Sequence, residues 1–325
     1  MTRIPIIATT ATITTTAASL LAAASVTVSD EKWLNHKAAP ILTAVAPGAG
    51  LVGATGLLTT AGLLLTGHPR LAAITGTAAA TTLLTTRGKI WPRIPTDTKT
   101  KLHPDDVRIL LHNVWINNKD DGENIGKEIV TANPDILVLI EATNTSIKHA
   151  QKTLQTYPYK WIWETTDNVG ADGMLIASKY PLTDVTSLPE CGRSAVSMLV
   201  TVRGKKIRLI ATHTHAPITQ ETTVEWSRQL HALRNHLEWV GDRSVVVLGD
   251  FNATHNHAPF RRLMTQQHLT DVVGGATTWP HGRFYPTLLG IDHILIRGMV
   301  KPLRVRIEDG NGSDHKAVIA DLRFT

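Results

Sequence analysis

The amino-terminal quarter of the chain contains three long stretches without a charged residue, which cover Ile4–Ser29, Ala38–Gly67 and Leu71–Thr86. A helix that crosses the hydrocarbon core of a bilayer needs roughly 20 mostly apolar residues. The first two stretches exceed this length, whereas the third would span only about 24 Å as a helix. The pattern predicts about three transmembrane helices.

All three stretches are rich in alanine, threonine and glycine, and small residues of this kind allow close helix packing inside a membrane. Two other interpretations remain open at this point. The first stretch could be a cleaved signal peptide with Arg3 as its charged start and a cleavage site near Ala22–Ala24. The other two could form an alanine- and threonine-rich helical hairpin in a soluble protein.

The distribution of basic residues gives a weak indication of membrane orientation. Placing Arg3 and the turn at residues 68–70 in the cytoplasm follows the positive-inside rule, and the chain after Arg87 would then lie outside. We therefore expect a multi-pass protein of the cell membrane with an extracytoplasmic folded domain. The expected divisions are a transmembrane region at residues 1–87, a linker at 88–106 and a folded domain at 107–325.

Charge and cysteine content exclude some classes of function. The net charge is +6 and the isoelectric point is about 9.5, but residues 91–325 contain 27 basic and 25 acidic residues, which leaves only +2 there. A nearly neutral domain offers no obvious groove for a nucleic-acid backbone. Cys191 is the single cysteine, so the chain has no intrachain disulfide and no cysteine-based metal site.

Beyond residue 106 the sequence alternates between short apolar runs and amphipathic stretches. The predicted strands are Val107–Val114, Ile136–Ile140, Gly173–Ser178, Ala195–Val202, Lys206–Thr212, Ser244–Leu248, Ile291–Ile296, Leu303–Ile307 and Ala317–Phe324. The predicted helices are Glu123–Ala132, Asn144–Gln155, Thr219–Val240 and Ala258–His268. Many strands with a few helices between them indicate an α/β (α+β) domain in which two packed sheets are covered by helices.

Polar side chains stand where many of these apolar runs stop or begin. If the strand ends meet at one edge of a sandwich, carboxylates, amides and imidazoles gather in one cleft. Like charges that lie close together repel unless a cation neutralises them, and oxygen ligands suit Mg²⁺ or Mn²⁺ better than zinc. The residues in question are Asn113, Glu141, His213, Asp250, Asn252, Asp292, Asp314 and His315.

Three ordered motifs carry a family resemblance. GDFNA at residues 249–253 is followed by IDHIL at 291–295 and by SDH at 313–315. HNVWINN, LVLIEAT and GMLIASKYPL precede them in the expected order. The region from about Val107 to Leu322 resembles the endonuclease/exonuclease/phosphatase (DNase I-like) superfamily. Three leading spans before such a domain also resemble a set of actinobacterial membrane proteins, so a membrane-anchored bacterial member is expected.

The resemblance implies a four-layered α/β/β/α sandwich and a role for each polar residue. Asn113, Glu141 and Asp314 would surround Mg²⁺ or Mn²⁺. Asp250 would deprotonate the attacking water, and Asn252 would hold that water or a phosphate oxygen. His315, paired with Asp292, would stabilise the growing charge of the phosphate. His213 would be a second phosphate contact or a proton donor.

Some positions allow more than one interpretation. Strand parity directs His213 and His215 the same way, and we favour His213 as the active one. His255 and His257 form an H-x-H pair for which zinc binding is conceivable, although a solvated loop or helix start is the simpler interpretation. The last motif has Ala317 where the family usually has a proline.

The expected function is divalent-metal-dependent hydrolysis of a phosphoester by in-line attack of water. The substrate could be a nucleic acid, a lipid headgroup or a small phosphoester, and the sequence indicates the membrane but no protein partner. The alternative is a non-catalytic membrane-anchored binding or adaptor protein on the same fold. Such a protein could lose its acidic residues at little structural cost, whereas this chain contains all of the candidates.

Overall fold

The computed structural model describes residues 3–27, 37, 39–86, 101–118, 123–163, 171–282 and 287–325. Most of the predicted linker, residues 88–100, therefore lies outside the described residues. The described helices are α1 Arg3–Thr27, α2 Ala39–Val45, α3 Ala49–Leu65, α4 Pro69–Thr86, α5 Glu123–Ala132, α6 Asn144–His149, α7 Gln151–Leu154, α8 Gln220–Trp239 and α9 Ala258–Gln266.

The described strands form two six-stranded sheets. They are β1 Val107–Asn113, β2 Ile136–Ile140, β3 Tyr159–Trp163, β4 Met174–Ser178, β5 Leu182–Ser187, β6 Ser194–Val202, β7 Lys205–His213, β8 Ser244–Asp250, β9 Thr270–Asp271, β10 Asp292–Gly298, β11 Val300–Glu308 and β12 Ala317–Phe324. The strand order is β11-β12-β1-β2-β4-β3 in the first sheet and β5-β6-β7-β8-β10-β9 in the second.

Each sheet has one parallel pair at its centre, β1 with β2 and β7 with β8, and the other pairs are antiparallel. The central strands are apolar on both faces: all residues of β2 (ILVLI) and of β8 (SVVVLGD) are buried. Strands of this kind must be covered on both sides. The fold therefore has to place layers on both faces of each sheet.

The inner layer is an apolar core between the two sheets that includes Leu111, Val138, Met198 and Leu248. Helices α5, α6 and α7 cover the outer face of the first sheet, where Ile129 packs among strand residues. On the other side, Arg297 of β10 donates hydrogen bonds to the carbonyl oxygens of Leu237 and Val240, at the end of α8. This mixed α/β architecture with two packed sheets agrees with the predicted sandwich.

The predicted helices and strands agree best with the structure where burial determines the pattern of apolar residues. The bounds of β2, β12 and α5 are as predicted, and the other predicted strands differ from the structure by a few residues at their ends. The predicted helix at 144–155 is interrupted at Ala150 and forms α6 and α7. Three strands were not predicted, namely Tyr159–Trp163, Leu182–Ser187 and Thr270–Asp271, and all three belong to the outer or shortest parts of the sheets.

Two of the expected three spans have the length and apolar composition to cross a membrane, namely Ile7–Val26 and the continuous helical stretch Ala39–Leu65. The third, α4, is helical but does not reach the required hydropathy, because it contains Arg70 and several threonines. Two of the predicted spans therefore qualify on length and composition, and a crossing by α4 stays a prediction. Signal sequences and the core helices of soluble proteins can have the same length and composition as the two remaining helices.

The described chain divides into two compact units. The first contains Met1–Trp91, Ala216–Ser227 and His255–Arg261, and the second contains Pro92–His215, Arg228–Thr254 and Arg262–Thr325. The domain bounds expected from the sequence stay a prediction. All eight candidate site residues belong to the second unit.

In the amino-terminal helices of the first unit, several hydroxyl-bearing side chains are buried while several leucines are exposed. Ser19, Thr75 and Thr82 are fully buried, whereas Leu58 and Leu65 are 74% and 88% exposed. Fully buried hydroxyl groups beside strongly exposed leucines are uncommon in water-soluble proteins. This is the arrangement that close helix packing in a lipid environment favours.

Candidate active site

Three of the candidate residues form one row across the second sheet. Parallel pairing of β7 with β8 sets His213 beside Asp250, and antiparallel pairing of β8 with β10 sets Asp292 on the other side of Asp250. Residues in one cross-strand row project from the same face of a sheet. The register alone therefore brings an imidazole and two carboxylates together.

Asn113 links the two sheets. It is the last residue of β1, and its Nδ2 donates to Glu141 Oε1 at 3.0 Å and to Asp250 Oδ2 at 3.1 Å. Glu141 follows β2 directly and has a φ of +57°, an uncommon value for a residue with a side chain. The ends of the central strands of both sheets thus meet at the Asn113 amide, as predicted from the sequence.

Backbone donors fix the orientation of both Asn113 and Glu141. The amide of Trp115 donates to Asn113 Oδ1 at 3.0 Å, and the amide of Ile116 donates to Glu141 Oε2 at 3.0 Å. Because Asn113 Oδ1 accepts a hydrogen bond, its Nδ2 is the atom that faces the carboxylates. The turn after β1 therefore determines that the Asn113 amide donates toward the carboxylates of the site.

Asp250 and Asn252 are held by the turn that follows β8. The amide of Asn252 donates to Asp250 Oδ1 at 2.8 Å, and Asn252 Nδ2 donates to the carbonyl oxygen of Thr214 at 3.0 Å. Asn252 has a φ of +46°, which asparagine tolerates better than most residues. The asparagine amide is thereby positioned next to the Asp250 carboxylate.

His315 and Asp292 form a buried pair. His315 Nδ1 lies 2.9 Å from Asp292 Oδ2, and His315 Nε2 lies 3.8 Å from Asp250 Oδ2. Burial lowers the pKa of His315, but the charge and hydrogen bond of Asp292 outweigh burial and raise the pKa to about 10. Burial likewise raises the pKa of Asp292, but His315 holds it below its ordinary value. The pair is therefore an imidazolium and a carboxylate at neutral pH.

Asp250 behaves differently from Asp292. Burial, followed by the nearby charge of Asp292, raises the pKa of Asp250 to about 6. A carboxylate of this kind is ionised at pH 7 and is a stronger base than an exposed aspartate. Two carboxylates in one row thus acquire different proton affinities from their surroundings.

Asp314 directly precedes His315 in the chain. Its Oδ2 accepts a hydrogen bond from Trp279 Nε1 at 3.0 Å, and its Oδ1 lies 4.0 Å from His315 Nε2. Among the described residues, no hydrogen-bond donor reaches this buried Oδ1 atom. A buried carboxylate oxygen without a donor is costly unless a cation faces it.

His213 reaches the site and His215 does not. His213 Nδ1 lies 3.0 Å from the carbonyl oxygen of Ala171, and its Nε2 lies 3.8 Å from Glu141 Oε1 and 3.9 Å from Asp250 Oδ2. His215 Nδ1 lies 2.7 Å from Gln229 Nε2, on α8. The structure thus brings all eight candidate residues into one connected group that does not include His215.

The ligand atoms of Asp250, Asp292 and His315 lie within 4.8 Å of one another, which is close enough to share an ion. His315 Nε2 lies 3.8 Å from Asp250 Oδ2 and 4.0 Å from Asp314 Oδ1, so an ion held by either carboxylate would lie close to this ring. Among the other candidates, Glu141 and Asp314 offer carboxylate oxygens, and Asn113 offers only its Oδ1 atom, which already accepts a hydrogen bond from the Trp115 amide. Their role as the cation ligands stays a prediction.

The H-x-H pair belongs to the first unit, where it forms protein contacts. His257 is buried and its Nε2 lies 2.9 Å from the carbonyl oxygen of Thr43, while the ring of His255 stacks on Phe260 at 6.0 Å. His257 immediately precedes α9, so the helix-start interpretation is correct. The expectation that this loop is solvated is wrong for His257.

Sequence reasoning missed a buried pair behind the site. His293 Nδ1 lies 2.9 Å from Asp271 Oδ2, and its Nε2 lies 2.7 Å from the carbonyl oxygen of Ala253. Both ring nitrogens face acceptors, which requires a doubly protonated ring. The sequence places His293 inside the predicted strand Ile291–Ile296, and only its partner on β9 reveals its role.

This pair predicts a pH-dependent contribution to stability. Burial lowers the pKa of His293, but the charge and hydrogen bond of Asp271 raise it above 6.5. The stabilisation is therefore complete below about pH 6.5 and is lost as the pH rises through the raised pKa. We expect His293→Gln to lower the melting temperature of the detergent-solubilised chain more at pH 6 than at pH 9. Exposed His149→Gln should show no such difference, and equal losses at both pH values would contradict the assignment.

With this geometry established, comparison with known proteins identifies the family. Residues 110–315 match the Endonuclease/Exonuclease/phosphatase family. The chain belongs to this family. The matched region contains all eight candidate residues, and the activities named in the family description are hydrolyses of phosphoester bonds. None of the curated proteins matches the chain.

Solved structures show the same fold. An endonuclease/exonuclease/phosphatase from Beutenbergia cavernae is 21% identical, with 67% of this chain and 72% of that chain covered and a TM-score of 0.56. The human Nocturnin catalytic domain with a bound sulfate anion is 16% identical, with 70% and 97% covered and a TM-score of 0.55. Danio rerio TDP2 complexed with a single-strand DNA product is 16% identical, with 67% and 99% covered and a TM-score of 0.54.

Proposed function

We propose that this protein is a membrane-anchored, divalent-cation-dependent phosphoesterase that hydrolyses its substrate by direct attack of water. One observation carries the proposal. Asp250, buried and with a pKa near 6, lies within 4 Å of the Asn113 amide and of the His213 and His315 imidazoles. A general base that accepts a hydrogen bond from an amide and lies beside two imidazoles is suited to an anionic substrate.

The residues fit a hard divalent cation. Asp314 Oδ1 is buried without a hydrogen-bond donor, and Glu141 supplies a second carboxylate that Asn113 joins to Asp250. Oxygen ligands of this type are those that Mg²⁺ and Mn²⁺ prefer. Asn113, Glu141 and Asp314 would hold the cation, which would supply charge neutralisation at a phosphate oxygen.

The remaining residues perform the proton transfer and bind the substrate. Asp250 accepts a proton from the attacking water, whose oxygen forms the new bond to phosphorus as the ester oxygen leaves. Asn252 orients that water or a phosphate oxygen. His315, held protonated by Asp292, faces the growing negative charge of the phosphate.

His213 completes the proposed chemistry. Its Nδ1 is turned toward the Ala171 carbonyl, and its Nε2 is therefore the atom directed at the acidic cluster. From this position it can contact a second phosphate oxygen or protonate the leaving ester oxygen. The variant His213→Gln retains a donor but cannot transfer a proton, so it distinguishes these two roles.

The polarity of the amino-terminal helices supports membrane anchoring. Helices α1 and α2–α3 have the length and composition of spans. Helix α4 buries Thr75 and Thr82 while Ile74 and Leu84 are 54% and 73% exposed. We infer that α4 also crosses the bilayer, with Thr75, Thr82 and Thr86 turned away from lipid and the exposed Thr77 and Thr81 hydroxyls bonded to carbonyl oxygens of their own helix. Three crossings and a cytoplasmic amino terminus would place residues 107–325 outside the cell membrane.

A substrate panel tests the function. We would assay the full chain in detergent micelles and in vesicles with bis-p-nitrophenyl phosphate, plasmid, single-stranded DNA, sphingomyelin and inositol phosphates, each with Mg²⁺ or with EDTA. We expect Mg²⁺-dependent hydrolysis of at least one phosphoester, with lipid headgroups favoured by the membrane anchor. Absence of metal-dependent turnover across the panel would instead support an adaptor protein.

Digestion of the domain by protease in intact cells would support the extracytoplasmic orientation, and digestion only after lysis would refute it.

A further inference from the structure

We infer that Trp279 is a positioning residue that directs Asp314 Oδ1 toward the cation of the proposed site. The indole Nε1 donates to Asp314 Oδ2 at 3.0 Å, whereas Oδ1 is buried and receives no hydrogen bond from a described residue. One oxygen of the carboxylate thus accepts the indole hydrogen bond, and the other remains available to a cation. The inference rests on the proposed cation-binding role of Asp314.

Backbone hydrogen bonds hold the Trp279 segment in register with the Asp314 loop. The amide of His281 donates to the carbonyl oxygen of Asp314 at 2.7 Å, and the amide of Lys316 donates to the carbonyl oxygen of Thr278 at 2.9 Å. These two bonds flank the indole contact. The indole therefore cannot shift along the loop without breaking backbone pairing.

A second set of contacts fixes the other side of the same segment. The amide of Trp279 donates to the carbonyl oxygen of Leu289 at 2.9 Å, and the amide of Leu289 donates back to Trp279 at 2.6 Å. Thr278 Oγ1 lies 3.4 Å from the amide of Asp292. Residues 278–281 thus connect the acidic loop at Asp314 with the start of β10, where the His315 partner lies.

The chemistry of the donor matters as much as its position. An indole N–H is neutral and donates only, so it orients Asp314 while the carboxylate keeps its full negative charge. A lysine or arginine at this place would form an ion pair and weaken the attraction for a cation. The indole N–H also opposes rotation of the carboxylate that would turn its free oxygen away from the cation. Hydrogen-bond partners of this type typically change metal affinity by about 10- to 100-fold.

Trp279→Phe tests the inference, because it retains an aromatic ring and removes the N–H group. We would titrate Mn²⁺ into the full chain in detergent micelles, without substrate, and measure free Mn²⁺ by electron paramagnetic resonance. We expect the dissociation constant to rise about 10-fold. The melting temperature in EDTA should change little. Trp239→Phe is the matched control, since Trp239 is 88% exposed and should bind Mn²⁺ like the parent.

Kinetics separate positioning from a general structural defect. If the indole acts only through Asp314, saturating Mg²⁺ restores the parental kcat of Trp279→Phe, and only the Mg²⁺ concentration for half-maximal rate rises. Trp279→His, which returns a ring N–H, should recover part of the affinity and serves as the second variant if Trp279→Phe fails to fold.

The outcomes distinguish the two proposals. If the parent chain binds Mn²⁺ and Trp279→Phe binds it equally well, the role of Trp279 is overturned and the proposed function is left intact. Lack of Mn²⁺ binding by the parent chain overturns the cation site itself, and the role of Trp279 with it.

Discussion

Replacing Asp250 by asparagine is expected to lower kcat for a phosphodiester substrate by about 100- to 10,000-fold while Mg²⁺ binding is retained. The variant keeps the shape and the hydrogen-bond acceptor for the Asn252 amide but cannot take up a proton. Steady-state kinetics of the full chain with bis-p-nitrophenyl phosphate measure the effect.

The same substitution should stabilise the protein in the absence of metal. Asp250 is buried, and burial together with Asp292 raises its pKa to about 6, so its ionised form is disfavoured in the fold. We expect Asp250→Asn to raise the melting temperature in EDTA at pH 8 as it lowers activity. Asp184→Asn is the control, because Asp184 is exposed, has a φ of +49° that asparagine tolerates, and makes a surface ion pair with Arg208. A parental kcat in Asp250→Asn would exclude Asp250 as the base.

Gly249→Ala is expected to destabilise the fold by at least about 4 kcal/mol, which is exceptional for one methyl group. Gly249 has a φ of +152°, and a Cβ atom built on it would lie 1.8 Å from the carbonyl oxygen of Thr212 on β7. The two strands would have to separate at the Thr212–Gly249 pair, directly next to the row that contains His213 and Asp250. Thermal unfolding in EDTA should show a drop of about 10 °C, together with loss of activity.

Gly204→Ala separates the steric effect from the effect of backbone conformation. Gly204 also has a positive φ, +83°, but a Cβ atom there meets nothing within 4 Å. This variant should lose only the roughly 1 kcal/mol expected for a side chain in the left-handed region. Equal losses in the two variants would show that the close approach of β7 and β8 does not control stability.

The sequence was most informative where burial and function both constrain the residue. The apolar run of β2 has one consistent interpretation as a strand covered on both faces, and its bounds were predicted correctly. The polar residue that ends such a run, Glu141, is costly to bury and therefore signals a functional group. The same argument applies to Asp250, and the structure does bring these two side chains together through Asn113.

Features that depend on tertiary contacts were not visible in the sequence. Strands β3 and β5 lie at sheet edges, where polar and apolar residues mix and the alternation is weak. Trp279 resembles a core aromatic until the position of Asp314 is known. His293 acquires its charge from Asp271, 22 residues away in the chain.

The most direct test of the proposed cation site is Mn²⁺ binding by the full chain in detergent micelles, measured by electron paramagnetic resonance for the parent, Glu141→Gln and Asp184→Asn. We expect one Mn²⁺ per chain for the parent and for Asp184→Asn, with binding strongly weakened in Glu141→Gln. Equal binding by all three proteins, or no binding by the parent, would contradict a cation site built around Glu141.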